Sequence, residues 1–218
     1  MTHHPSLITL SRPEDTAKLY INKASPFARK VRVLVRETGL AGRVEEAETV
    51  VSPIAANETL ARDNPLVKIP ALVTDSGETL FDSRVICEYL DTLHTGRKFF
   101  PASGPQRFTA LRRQSLTDGI LDAAVLCRYE TAVRPETLRW KDWIEGQKRK
   151  VFGGLAVLEA DAGAWGDEFT IGQVGAACVL GYLDFRFAAW DWRGSHPQLR
   201  GWFERISARP SVAATKPG

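Results

Sequence analysis

The chain has 218 residues, 44% hydrophobic and 25% charged, which is long and apolar enough to bury a core as one large or two small domains. A formal net charge of +3 is only mildly basic, and no interleaving of basic and aromatic residues marks a nucleic-acid surface. The longest apolar stretch, Val174 to Leu183, is too short for a membrane span, and Met1 to Asp15 carries no apolar leader core, so a soluble cytoplasmic protein is expected.

In chain order, Lys18 to Ile21 reads as a strand. Ser25-Pro26-Phe27 then opens a helix over Pro26 to Thr38 with Phe27, Val31, Leu34 and Val35 on one face. Serine is a favoured N-cap and proline a favoured first helical residue, so Ser25 stands beside the partial positive charge of unpaired amides. Arg29, Lys30, Arg32 and Arg36 lie on the same helix and read as a solvated basic face. A strand follows over Val44 to Val50, an irregular or helical segment over Pro53 to Asp63, and strands at Ala71 to Thr74 and Thr79 to Phe81. Asp75-Ser76-Gly77 between the last two has tight-turn composition and predicts an antiparallel hairpin. Asp82 and Ser83 open a helix that runs to Leu93.

Residues 1–94 therefore read as an α/β domain, and Gly96, Pro101, Gly104 and Pro105 mark 95–105 as a linker. Residues 106–218 read as all helical, with helices over Phe108 to Glu130, Pro135 to Ala160, Ile171 to Ala189 and Gln198 to Ser207. Gly119 and Gly181 suggest close helix packing, and the six tryptophans read as core. Thr170 and Gln173 have the spacing of a capping box, in which glutamine reaches back to the cap amide. Cys87, Cys127 and Cys178 lie far apart in apolar helical contexts, and His3, His4, His94 and His196 show no ligand spacing beyond the adjacent terminal pair. Neither a disulfide framework nor a metal site is expected.

Three segments carry a resemblance. Ser25-Pro26-Phe27-Ala28 after a strand looks like the Cys-Pro-aromatic-Cys turn of thioredoxin-fold proteins, with serine and alanine in place of both cysteines. That substitution excludes dithiol exchange by this turn alone. With Asn64-Pro65-Leu66-Val67-Lys68-Ile69-Pro70, Asp82-Ser83 and the helical second half, the chain resembles the cytosolic glutathione transferases, serine-type bacterial members above all. The later run Gly181-Tyr182-Leu183-Asp184-Phe185-Arg186 adds to this similarity. It departs from the family at Val67, where glycine is common, and at Gln173, where aspartate is common.

The resemblance implies a thioredoxin-like domain that binds glutathione as co-substrate, a helical domain that supplies the second-substrate pocket, and a homodimer. It implies that Ile69 pairs its backbone with the cysteinyl part of glutathione ahead of a cis Pro70. Ser83 and Asp82 would hold the γ-glutamyl carboxylate and ammonium, and Lys68 the glycyl carboxylate. Ser25 would stabilise the thiolate rather than act as a nucleophile, since no histidine–acid pair is placed by sequence to deprotonate it. The expected activity is attack of that thiolate on an electrophilic small molecule, without a metal, a nucleic-acid partner or a membrane. Glutathione-dependent disulfide or peroxide reduction is the enzymatic alternative. A non-enzymatic interaction protein, using the basic helix from Arg29 to Arg36, is the other.

Overall fold

The computed structural model describes residues 16–218, so the readings made on Met1 to Asp15, including the missing leader core and His3–His4, lie outside the described residues. The chain forms two compact units that divide between Gly96 and Arg97. In the first unit the order is β1 (Ala17–Ile21), α1 (Pro26–Glu37), a 3-10 turn (Ala41–Arg43), β2 (Val44–Glu48), α2 (Glu58–Asp63), β3 (Ala71–Val73), β4 (Thr79–Leu80) and α3 (Ser83–Thr92). The sheet runs β2-β1-β3-β4, with β1 parallel to β2 and β3 antiparallel to both β1 and β4. This is the expected thioredoxin-like α/β arrangement, and Gly77 closes the β3–β4 hairpin at φ 82°, a conformation glycine adopts without steric cost.

β1 is interior to the sheet, and Leu19, Tyr20 and Ile21 are all buried on it, as a strand covered on both faces requires. Leu19, Ile21 and Leu72 from the sheet and Val31, Leu34, Ile86 and Leu90 from α1 and α3 form the main core. A smaller cluster joins Tyr20, Leu60 of α2 and Ala71, with Val67, Ile69 and Phe81 packed against it. The segment 53–63 is helical only from Glu58, because the Asn57 side chain caps there by accepting from the Leu60 amide at 2.9 Å.

The basic face expected on α1 is not solvated. Arg29, Lys30 and Arg32 are buried, and Arg32 and Arg36 both bind the Glu46 carboxylate of β2, at 2.9 and 3.0 Å. Counting charges along a helix cannot reveal this, because the neutralising glutamate comes from another element.

In the second unit α4 (Gly104–Ala132), α5 (Lys141–Ala162) and α6 (Ile171–Arg186) carry the packing, followed by α7 (Trp192–Ser195), α8 (Pro197–Ser207) and α9 (Pro210–Ala213). The α4 start lies inside the expected linker. α5 begins six residues later than the sequence suggests, after a 3-10 turn at Glu136–Leu138, because buried Glu130 accepts the Trp140 amide at 3.0 Å and pins that loop. Gly119 does not mark close packing, since a Cβ there would meet nothing within 4 Å. Gly172 and Gly175 of α6 do, against the side chains of Arg113 and Thr117 on α4. Of the tryptophans, Trp165, Trp192 and Trp202 are core residues, whereas Trp140 is 64% exposed, contrary to expectation.

Candidate functional site

Sheet topology gathers the three sequence-marked segments at one end of the first unit. Tyr20 stands opposite Ala71, so the turn after β1 adjoins the residues that lead into β3. Leu80 stands opposite Leu72, so β4 ends at that same edge and delivers Asp82 and Ser83 there. Ser25, Lys68-Ile69-Pro70 and Asp82-Ser83 thus share one rim.

Asn22 shapes the first turn: its side chain accepts from the Ala24 amide at 2.9 Å and its carbonyl from the Ser25 amide at 2.9 Å. Ser25, in an extended conformation, caps α1 by accepting from the Ala28 amide at 3.2 Å. That contact uses a lone pair on Oγ and leaves its proton available to an acceptor. The hydroxyl is half-buried, so a ligand can reach it.

Asn64 builds the second segment, and sequence reasoning gave it no role. Nearly fully buried, it donates from Nδ2 to the Lys68 carbonyl at 2.8 Å and accepts from the Leu66 amide at 3.0 Å, while its own carbonyl accepts from the Val67 amide at 2.9 Å. An asparagine just after a helix and just before proline is the signal that could have found it. Val67 is left at φ 51°, the left-handed region that favours glycine. The Ile69–Pro70 peptide is cis, as is Phe81–Asp82. Among the described residues the Ile69 amide and carbonyl make no hydrogen bond, and neither does the exposed Lys68 ammonium.

In the third segment Asp82 is the exposed N-cap of α3 and accepts from the Arg84 amide at 2.9 Å. Ser83 is buried, yet its hydroxyl and amide have no hydrogen-bond partner among the described residues. A free amide and hydroxyl at a helix N-terminus suit an anion. Behind this rim Lys18 donates to the Tyr20 hydroxyl at 2.9 Å, and Tyr20 donates to Asp63 at 2.5 Å, tying β1 to the end of α2. A tyrosine in a strand gives no sequence signal for such a link.

Cysteine chemistry has no accessible group here. Cys87, Cys127 and Cys178 are all buried, and burial pushes the Cys127 thiol up to about 11. Among the described residues no group of three His, Cys, Asp or Glu side chains is placed to hold a metal, and no helix is long and apolar enough to cross a membrane.

Fold and rim together define a thioredoxin-like domain, followed along the chain by a helical unit. The chain belongs to the glutathione S-transferase family, whose N-terminal domain model matches residues 24–93 and whose C-terminal domain model matches residues 141–205. It is 33% identical to the GST-like protein YibF of Escherichia coli (strain K12), over 92% of this chain and 98% of that one. A glutathione transferase family member from Pseudomonas fluorescens Pf-5, solved with bound glutathione, is 46% identical, with a TM-score of 0.91 over 93% of this chain and all of the other. A second glutathione transferase family structure from that organism, with bound S-(propanoic acid)-glutathione, is 45% identical with a TM-score of 0.87, again over 93% and 100%.

Proposed function

We propose that this chain is a glutathione transferase that binds glutathione at the rim of its first unit and activates the thiol as thiolate for attack on an electrophilic small molecule. The observation that carries the reading is Ser25. Its oxygen is occupied as a helix cap while its proton is uncommitted, at the positive end of the α1 helix dipole. Lowering a thiol pKa from about 8.5 to about 6.5 takes roughly 2.7 kcal/mol of preferential thiolate stabilisation. A hydrogen bond to a charged group supplies roughly 1.5 to 3 kcal/mol and a helix terminus up to about 1 more, so one hydroxyl at this position suffices.

The remaining rim fits the rest of the tripeptide. The unpaired Ile69 amide and carbonyl suit main-chain pairing with the cysteinyl residue, next to Pro70. The Ser83 amide and hydroxyl suit the γ-glutamyl carboxylate, with the Asp82 carboxylate facing its ammonium. The free Lys68 ammonium suits the glycyl carboxylate. In the reaction the thiol proton leaves to solvent, the sulfur bonds to the electrophilic carbon, and the leaving group departs with its electron pair. The Pseudomonas relative solved with a thioether of glutathione supports conjugation over reduction. Burial of Arg29, Lys30 and Arg32 speaks against the basic helix as the surface of a non-enzymatic role. A cytoplasmic homodimer completes the reading.

Calorimetry with glutathione tests the assignment of the rim. Lys68→Ala and Ser83→Ala should each weaken binding by roughly 1 to 3 kcal/mol, the range for hydrogen bonds to charged groups, with little change in thermal stability. Unaltered affinity in both variants removes these residues from the site.

A further inference from the structure

The helical unit carries a group of polar side chains that the reading above leaves unused. Arg128 and Tyr129 stand near the end of α4, and Tyr182 and Arg186 lie one turn apart on α6, which packs against α4. Both guanidinium groups are partly buried, and neither forms a hydrogen bond or an ion pair with a carboxylate among the described residues. Arg186 lies over the Phe185 ring at 4.0 Å. Burial, and after it the like charge of Arg128, holds the Arg186 guanidinium below its ordinary value. The two phenols have no hydrogen-bond partner among the described residues either. Burial pushes Tyr182 up to about 12 and raises Tyr129, so both stay protonated donors at neutral pH.

Two cations that oppose each other at a partly dehydrated site, flanked by two free hydroxyl donors, gain most from an anion placed between them. The acidic residues beside the group in the chain are engaged elsewhere: Glu130 with Arg134 and the Trp140 amide, and Asp184 with Trp192 and Arg193. Around the group, Tyr129 and Phe185 expose aromatic surface, and Leu126, one turn before Tyr129, exposes aliphatic surface. Planar guanidinium forks match a carboxylate, and the apolar surroundings match a hydrocarbon body.

We propose that Arg128, Tyr129, Tyr182 and Arg186 form a carboxylate-binding site for an organic acid with an apolar body. The site itself is tested with 4-phenylbutanoate and its uncharged amide, titrated calorimetrically into the full chain. The acid should bind about tenfold or more tightly than the amide, and Arg128→Gln and Arg186→Gln should each erase about tenfold of acid binding while leaving amide binding unchanged. Equal binding of acid and amide to the unaltered chain overturns the site, even where one variant fails to fold.

Discussion

Val67 shows how a single residue records the demands of the rim. Its φ of 51° is imposed by the turn that Asn64 organises, and for a side chain with a Cβ that region costs about 1 to 2 kcal/mol. The side chain recovers part of this by packing against the Tyr20, Leu60 and Ala71 cluster. Val67→Ala loses that packing and keeps the strain, whereas Val67→Gly loses the packing and sheds the strain. Glycine should therefore be more stable than alanine here by about 1 kcal/mol, the reverse of the order at an ordinary position, in which alanine leads by roughly 0.5 to 1 kcal/mol. Chemical denaturation of both variants decides it, and alanine proving the more stable would remove the strain from the account.

At the scale of elements, α4 offers a paired comparison with α6. Gly119 has open space around its Cβ position, so Gly119→Ala should stabilise the protein by about 0.5 to 1 kcal/mol through helix propensity alone. Gly175→Ala drives a methyl into the buried Thr117 side chain and should cost about 1 to 3 kcal/mol as overpacking. Thermal unfolding of the two variants should move in opposite directions. Glu130 gives α4 a second test. The Trp140 amide, then Arg134, holds its carboxyl below the ordinary glutamate value. A folded value depressed below the unfolded one means that the contribution is complete above the ordinary carboxylate range and fades as pH falls through the folded value. The stability gap between the unaltered chain and Glu130→Gln should accordingly close as pH drops below about 4. A gap that does not change with pH would show that the carboxylate is not what pins the α4–α5 loop. These elements also mark how far the sequence could be read. The hairpin at Gly77 and the caps at Ser25, Asp82 and Thr170 were legible because turn and cap chemistry is local; the Gln173 side-chain oxygen Oε1 does accept from the Thr170 amide, at 3.1 Å. Burial of the α1 basic residues and the delayed start of α5 were not legible, since Glu46 and Glu130 act from distant positions in the chain.

For the molecule as a whole, chemistry depends on a thiol the chain does not itself offer. All three cysteines are buried, in both units, while the rim of the first unit presents a hydroxyl at the place where thioredoxin-fold proteins carry a thiol. Everything in the functional reading passes through the contact between that hydroxyl and the sulfur of glutathione. Lys68, Ser83 and the Ile69 backbone were legible as candidates because each sits in a marked turn or cap. Asn64, which holds their loop, acts through main-chain contacts that only the fold supplies. The most direct test is an ultraviolet pH titration of the glutathione thiolate bound to the unaltered protein and to Ser25→Ala. Loss of the hydroxyl should raise the pKa of bound glutathione by roughly 1 to 2 units, about 1.4 to 2.7 kcal/mol, while affinity for S-methyl glutathione stays the same. Superimposable titration curves for the two proteins would make Ser25 a helix cap only and contradict the account.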